Sequence, residues 1–312
     1  MKTNPEISVV SGCYNEEGNI QELCERTCAA LSKAGIENYE VILIDNNSTD
    51  TTREIIRSLA CKDSRIKAIF NARNFGHIRS GYYALLQATG DAAICIASDL
   101  QDPPEMIPRL IEEWKRGAKA VVCVKESSEE SPIFFAIRRA YYGLIGKLSE
   151  TKLIQNFTGF GLYDRVIVDY CRKVADPYPY FRGQISEIGL PIKEIPYRQP
   201  LRKRGITKNN FFTLYDLAML GITSHSKVPL RLAAMLGFLM ALLSLLVALI
   251  YFVYKLVFWY SLPVGTAPLV IGLFFFASVQ LFFIGILGEY IGAIHTQVLN
   301  RPLVVEKERI NF

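Results

Sequence analysis

Three signatures are missing from the 312-residue sequence: a Cys-x-x-Cys pair, a Gly-x-Gly-x-x-Gly turn and a Gly-x-x-x-x-Gly-Lys-Ser/Thr loop. Without the two glycine patterns, a dinucleotide fold and a phosphate-cradling loop lose their support, and with them redox and kinase chemistry. The cysteine count is odd, at seven. Cys95 and Cys123 fall inside apolar runs, so reduced core thiols are expected rather than a disulfide framework. The three histidines show no metal-ligand spacing. A net charge of only +5 argues against nucleic acid as a partner. The N-terminal Met-Lys-Thr-Asn-Pro-Glu lacks a basic-then-apolar stretch with a cleavage site, so the catalytic part is expected on the side where it is made.

What is present divides the chain into unlike parts. Residues 1–225 read as a charged globular domain, residues 226–295 as two apolar spans, and residues 296–312 as a polar tail. The uncharged stretches 232–254 and 261–288 each exceed the roughly 20 residues a helix needs to cross a bilayer. Lys227 and Arg231 precede the first, while Arg301, Lys307 and Arg309 follow the second. The connecting loop is nearly uncharged, so the positive-inside rule predicts an integral membrane hairpin with both termini cytoplasmic. Two buried helices of a large soluble domain are the alternative.

The first 125 residues alternate between short Val- and Ile-rich runs (7–11, 41–45, 66–70, 92–98, 120–124) and charged stretches of helical length such as 20–33 and 51–61. This predicts an α/β fold with a mostly parallel sheet. Ligands of such sheets bind at the carboxyl ends of the strands. The residues there are Tyr14-Asn15-Glu16-Glu17, Asp45-Asn46-Asn47-Ser48-Thr49-Asp50, Arg73-Asn74-Phe75-Gly76-His77 and Asp99-Leu100-Gln101-Asp102-Pro103-Pro104. Carboxylate and amide oxygens of this kind suit Mg²⁺ or Mn²⁺, which would neutralise a departing diphosphate.

In their order these motifs resemble family-2 glycosyltransferases of GT-A fold, and more narrowly the polyisoprenyl-phosphate branch of bactoprenol glucosyltransferases and dolichol-phosphate mannose synthases. Gly221-Ile222-Thr223-Ser224, Pro229-Leu230-Arg231 and Leu287-Gly288-Glu289-Tyr290-Ile291-Gly292 continue the likeness into the apolar region. The resemblance implies a nucleotide-sugar donor and a polyisoprenyl phosphate acceptor, an inverting displacement at the cytoplasmic face of a bacterial plasma membrane, a role in cell-envelope glycan synthesis and a homo-oligomer. By the same resemblance Tyr14, Glu16 and Asp45 hold base and ribose, Arg73 and Asn74 flank that pocket, and Asp99 with Gln101 binds metal and diphosphate. Arg202 and Lys208, in Arg202-Lys203-Arg204-Gly205-Ile206-Thr207-Lys208, match a loop that closes over the donor and meets the lipid phosphate.

Bland alternatives stand beside these roles. Asp45 and Asp99 could cap the next helix, Asp102 reads as a cap before Pro103-Pro104, Glu17 reads as a solvated charge, and the 202–208 loop as a basic stretch near headgroups. Apolar stripes at 133–148 and 211–220 have interfacial spacing, or pack on the core. Two motifs depart from the family. Ala97 stands where the first acid of Asp-x-Asp is expected, and Gly159 and Gly161 replace an acid and a base. A non-catalytic membrane scaffold is therefore a rival reading; a processive polysaccharide synthase is another, although its Gln-x-x-Arg-Trp motif is missing.

Overall fold

The computed structural model describes residues 5–126, 154–200, 211–258 and 266–312. The expected interfacial stretch 133–148 and the basic loop 202–208, with Arg202 and Lys208, lie outside the described residues.

The sheet is built on β1 (Ile7–Cys13), β2 (Tyr39–Asp45), β3 (Ile66–Asn71) and β4 (Ala92–Cys95), all parallel, with β1 between β2 and β4. β2 is buried at every position, as expected of a parallel strand covered on both faces. On one face Val9, Val41 and Leu43 pack against α1 (Ile20–Lys33), α2 (Thr52–Lys62) and α4 (Ile107–Lys115). Val10, Ile42 and Ile44 alternate to the other face, against α3 (His77–Gln87) and α5 (Arg165–Val174). The helices present matching stripes: α1 buries Ile20, Leu23, Cys24, Thr27, Ala30 and Leu31 at three- and four-residue spacing.

Three further strands widen this core. β5 (Ala120–Lys125), β6 (Phe157–Asp164) and β7 (Ile192–Tyr197) complete one side, with β6 antiparallel to both β4 and β5 and β7 parallel to β5. With β8 (Glu306–Ile310) at the far edge, the order is β7-β5-β6-β4-β1-β2-β3-β8, a mixed sheet with a parallel centre. The expected strand 92–98 is shorter than its apolar run. Ile96 still donates to Val10 O, but from Ala97 the chain leaves the ladder to form a loop.

A short helix α6 (Phe181–Glu187) follows α5, and α7 (Phe211–His225) leads into α8 (Val228–Val257) and α9 (Thr266–Leu299). α8 and α9 are long and apolar enough to cross a membrane. Their side chains are open rather than packed: Phe238 is 78% exposed and Leu245 68%. Tyr290 Oη donates to Ser226 O at 2.7 Å, tying the end of this hairpin to its start.

The tail does more than trail away. Its strand β8 (Glu306–Ile310) returns to pair antiparallel with β3 and covers that edge of the sheet. Glu308 pairs with Arg57, and Asn311 Nδ2 donates to Ala60 O at 2.7 Å and Ile66 O at 2.8 Å. A division of the chain at residue 296 therefore separates segments that the sheet rejoins.

At the opposite, amino end of the strands Glu40 is buried. Its carboxylate accepts from Ser8 Oγ at 2.5 Å, Thr89 N–H at 2.6 Å and Thr89 Oγ1 at 2.8 Å, and pairs with Lys67 Nζ at 2.6 Å. Burial alone pushes this carboxyl up, but Lys67, Ser8 and Thr89 together hold it below its ordinary value.

Two expectations follow. Deleting residues 303–312 exposes the β3 edge, and a loss of about 2 kcal/mol should lower Tm by roughly 4–8 °C in a thermal melt. Glu40→Gln sets an amide against Lys67 and should cost about 2–4 kcal/mol at pH 7 by denaturant unfolding. Because the folded Glu40 carboxyl lies below its unfolded value, its contribution is present above the unfolded value and is lost as pH falls through the folded one. The difference between wild type and Glu40→Gln should accordingly shrink in acid.

Candidate active site

β1, β2 and β4 all point their carboxyl ends at one edge, and the loops leaving them surround a cavity of about 650 Å³. That size suits a small organic ligand. Tyr14, Glu16, Asn74, Asp99 and Gln101 line it, while Asp45 and Arg73 are not among its lining residues.

Asp45 is fully buried. A carboxylate without water needs compensating partners. Arg53 Nε lies 2.6 Å from Oδ2, and the N–H groups of Asn47 and Ser48 donate to the carboxylate at 3.1 Å. Asp45 thus folds the turn, with Asn47 in the left-handed region at φ +66. Asp45 is not among the residues that line the cavity, and the next residue, Asn46, is.

The loops after β1 and β2 are joined by reciprocal hydrogen bonds. Asn15 Oδ1 accepts from Thr49 N–H at 2.8 Å, and Ser48 Oγ accepts from Asn15 N–H at 2.9 Å. Thr52 Oγ1 accepts from Glu16 N–H at 2.9 Å, and Glu17 accepts from Thr51 Oγ1 at 2.6 Å. Glu17 therefore braces the neighbouring loop rather than standing free in solvent. Much of the motif chemistry is spent on holding Tyr14 and Glu16 in place.

The third loop docks on Asn46. Its Nδ2 donates to Asn74 Oδ1 at 2.8 Å, and its Oδ1 accepts from Phe75 N–H at 2.9 Å and Asn71 Nδ2 at 3.1 Å. Arg73 is exposed, with its guanidinium 4.1 Å from the centre of the Phe75 ring. It flanks the loop from outside the cavity.

After β4, Asp99 Oδ1 accepts from Gln101 N–H at 3.1 Å and closes a turn with Leu100 at φ +60. A leucine in that region costs on the order of 1–3 kcal/mol. The strained turn lets Leu100 join the core while Asp99 and Gln101 both face the cavity. Asp102 has a different fate. Its Oδ2 accepts from Ala97 N–H and its Oδ1 from Tyr197 Oη, both at 3.0 Å, and burial pushes its carboxyl up to about 6. It does not cap the helix after Pro103; it ties the β4 loop to β7.

The two glycine departures have distinct local reasons. A Cβ on Gly161 would lie 2.4 Å from Val121 O, so neither an acid nor a base fits beside β5. Gly159 adopts φ +104 on the cavity wall, and its carbonyl accepts from Tyr163 Oη at 2.7 Å.

Among the described residues no group of three His, Cys, Asp or Glu side chains could hold a metal ion. The loop after β4 instead offers the carboxylate of Asp99 beside the amide of Gln101, with Asp102 engaged elsewhere. That donor set fits a hard cation which takes its remaining ligands from phosphate oxygens and water.

A further wall comes from His77 of α3 and from Tyr180, Phe181 and Arg182 at the start of α6. Sequence reading left Arg182 unassigned, since a single arginine within Phe181-Arg182-Gly183 has no motif to flag it. Asn46 was masked in a different way, by the more conspicuous carboxylate beside it.

These contacts separate the two aspartates experimentally. Asp102→Ala strands Ala97 N–H and Tyr197 Oη and should cost about 2–4 kcal/mol in denaturant unfolding. Asp102→Asn keeps an acceptor for Ala97, so its folded fraction should retain turnover close to wild type under saturating Mn²⁺ or Mg²⁺.

The model of Glycosyl transferase family 2 matches residues 8–171. Over 304 residues the chain is 34% identical to the SfII prophage-derived bactoprenol glucosyl transferase of Shigella flexneri, a match spanning 97% of each chain. It is 33% identical over 309 residues to the glycosyltransferase YkcC of Bacillus subtilis, spanning 98% of this chain and 94% of that one. Among solved structures, glucosyl-3-phosphoglycerate synthase of Mycobacterium tuberculosis with Mn²⁺ and uridine diphosphate is 18% identical, with TM-score 0.46 over 71% of this chain and 78% of that one. With the family pattern running through the strands and loops that build the cavity, and relatives matching nearly end to end, this chain belongs to glycosyl transferase family 2: a sugar-transferring enzyme of GT-A architecture.

Proposed function

We propose that the chain transfers a sugar from a nucleoside diphosphate donor to a polyisoprenyl phosphate presented by the bilayer. The observation that carries this reading is the union, in one chain, of a polar cavity at the carboxyl edge of the sheet with an apolar helical hairpin whose side chains stand open. The name of the Shigella flexneri relative, a bactoprenol glucosyl transferase, supports the choice of acceptor.

In this reading α8 and α9 cross the membrane, with Lys227 and Arg231 on one side of the hairpin and Arg301, Lys307 and Arg309 on the other, all on the cytoplasmic face. Tyr14, Glu16 and Asn74 hold base and ribose, with Asn46 beside them and Asp45 setting the turn beneath. Asp99 and Gln101 would hold Mg²⁺ or Mn²⁺, which supplies positive charge to the diphosphate. Arg202 and Lys208, which precede α7 in the chain, would supply positive charge to phosphate oxygens. An oxygen of the acceptor phosphate bonds to the anomeric carbon as the bond from that carbon to the diphosphate oxygen breaks, its electron pair leaving with the nucleoside diphosphate. Attack from the far side inverts the anomeric centre. The acceptor is already ionised near neutral pH, so no general base is needed, and catalysis rests on positioning and charge neutralisation.

The positive φ of Gly159 and the close packing of Gly161 against β5 give each glycine a local structural reason, independent of any loss of activity. Incubating the full chain with undecaprenyl phosphate and a panel of nucleotide sugars, followed by mass analysis of the lipid, tests the activity. A sugar-linked lipid is the expected product, and its absence across the panel would overturn the reading. Within that assay Asp99→Asn keeps an oxygen but loses the charge, and should lower turnover about 10²-fold while weakening donor binding much less. Near-normal turnover would remove Asp99 from the metal role.

A further inference from the structure

The charges around the cavity are unevenly distributed. Glu16, Asp99 and Asp102 line it from the β1 and β4 loops, whereas Arg182 is the one Arg or Lys among the described lining residues. Arg182 is half-buried, and among the described residues its guanidinium has no ion-pair or hydrogen-bond partner. Elsewhere in the catalytic domain several arginines near carboxylates use them: Arg26 meets Glu22 and Glu105, Arg53 meets Asp45, and Arg57 meets Glu308. A partly desolvated guanidinium facing a cavity is a ready site for an anion, above all one with the paired oxygens of a phosphate.

The surroundings of Arg182 indicate which anion. The segment leading into α6 is where the catalytic domain touches the apolar hairpin. Asp176 Oδ1 accepts from Gln297 Nε2 at 2.8 Å, joining this segment to the end of α9. Tyr178 lies within charge range of Asp216 on α7. Asp176 also accepts from Gln184 Nε2 at 3.4 Å, and Gln184 Oε1 in turn accepts from Tyr82 Oη at 3.0 Å, so α6 is fixed between α3 and the hairpin. The Arg182 wall is thus continuous with the membrane-facing part of the chain, while Asp99 and Gln101 belong to the loop after β4. His77 shares the wall. Partial desolvation holds its imidazole below the ordinary value, and the charge of Arg182 adds to this.

We propose that Arg182 is a binding residue for the phosphate of the lipid acceptor, on the side of the cavity that adjoins the hairpin. This rests on the acceptor reading above and adds to it the residue that receives the acceptor's charge. The donor diphosphate carries the same chemistry, so the two sources must be separated by experiment.

The full chain in nanodiscs, as wild type, R182Q and R182K, is titrated with undecaprenyl phosphate, with undecaprenol, and with UDP, GDP and dTDP in the presence of Mn²⁺. Loss of one charge-assisted contact should weaken undecaprenyl phosphate binding by R182Q about 10- to 100-fold. Undecaprenol and nucleoside diphosphate affinities should stay within about twofold, and R182K should recover part of the lost affinity because it retains the charge but not the paired N–H fork. Matching melting temperatures exclude misfolding, and recovery in R182K separates charge from shape. Wild-type affinity of R182Q for undecaprenyl phosphate would overturn the inference and leave the acceptor reading standing. A loss confined to the nucleoside diphosphates would overturn it by assigning Arg182 to the donor. A wild type that does not distinguish undecaprenyl phosphate from undecaprenol would remove the acceptor reading itself, and this inference with it.

Discussion

The arrangement of the cavity depends on one buried carboxylate. Asp45 is sealed at the end of β2, in the middle of the sheet, where an unpaired charge would cost several kcal/mol. Arg53 and two turn N–H groups satisfy it, and in doing so they determine the path of the chain after β2. Asn46 is thereby set in the cavity wall, where it receives the Asn74–Phe75 loop, and Ser48 and Thr49 are set where they join the loop after β1. Tyr14, Glu16 and Asn74 then reach the cavity from loops that are held to one another, not only to their own strands.

Asp99 and Asp102 show how neighbouring residues of one type diverge when burial differs. Three positions apart in the same loop, one faces the cavity with an oxygen directed to its own turn, and the other is buried with both oxygens engaged. In the proposed cation site, phosphate oxygens would join Asp99 and Gln101, which line the cavity. Asp102 instead braces the loop so that the strained Leu100 turn keeps its shape.

The chain passes between catalytic domain and apolar hairpin more than once. α7 leads out to α8, and after α9 the tail returns as β8 to finish the sheet at β3. Gln297 meets Asp176 close to this return. Two covalent connections and a side-chain contact restrict how far the cavity can move relative to the hairpin. For the proposed reaction between a water-soluble donor and an acceptor held in lipid, such restriction would keep the two halves of the site in register.

Much was legible in the sequence because it depends on periodicity and run length, which are local. The parallel strands, α1 at Ile20–Lys33, the apolar hairpin and the gathering of Tyr14, Glu16, Asn74, Asp99 and Gln101 at one edge all follow from apolar runs and the polar residues directly after them. The tertiary structure decided what each polar residue does, because that depends on neighbours distant in the chain. Asp45 became a turn anchor through burial under the loops, Asp102 a brace through Tyr197 some 95 residues away, and Gly161 a necessity through the backbone of β5. β8 was invisible as a strand because a short charged segment gains its ladder bonds only where an open edge waits for it. Arg182 reached the cavity for the same physical reason: sheet order and helix packing, not sequence spacing, place α6 beside β6, on the wall of a cavity that residues of β1 and β4 also line.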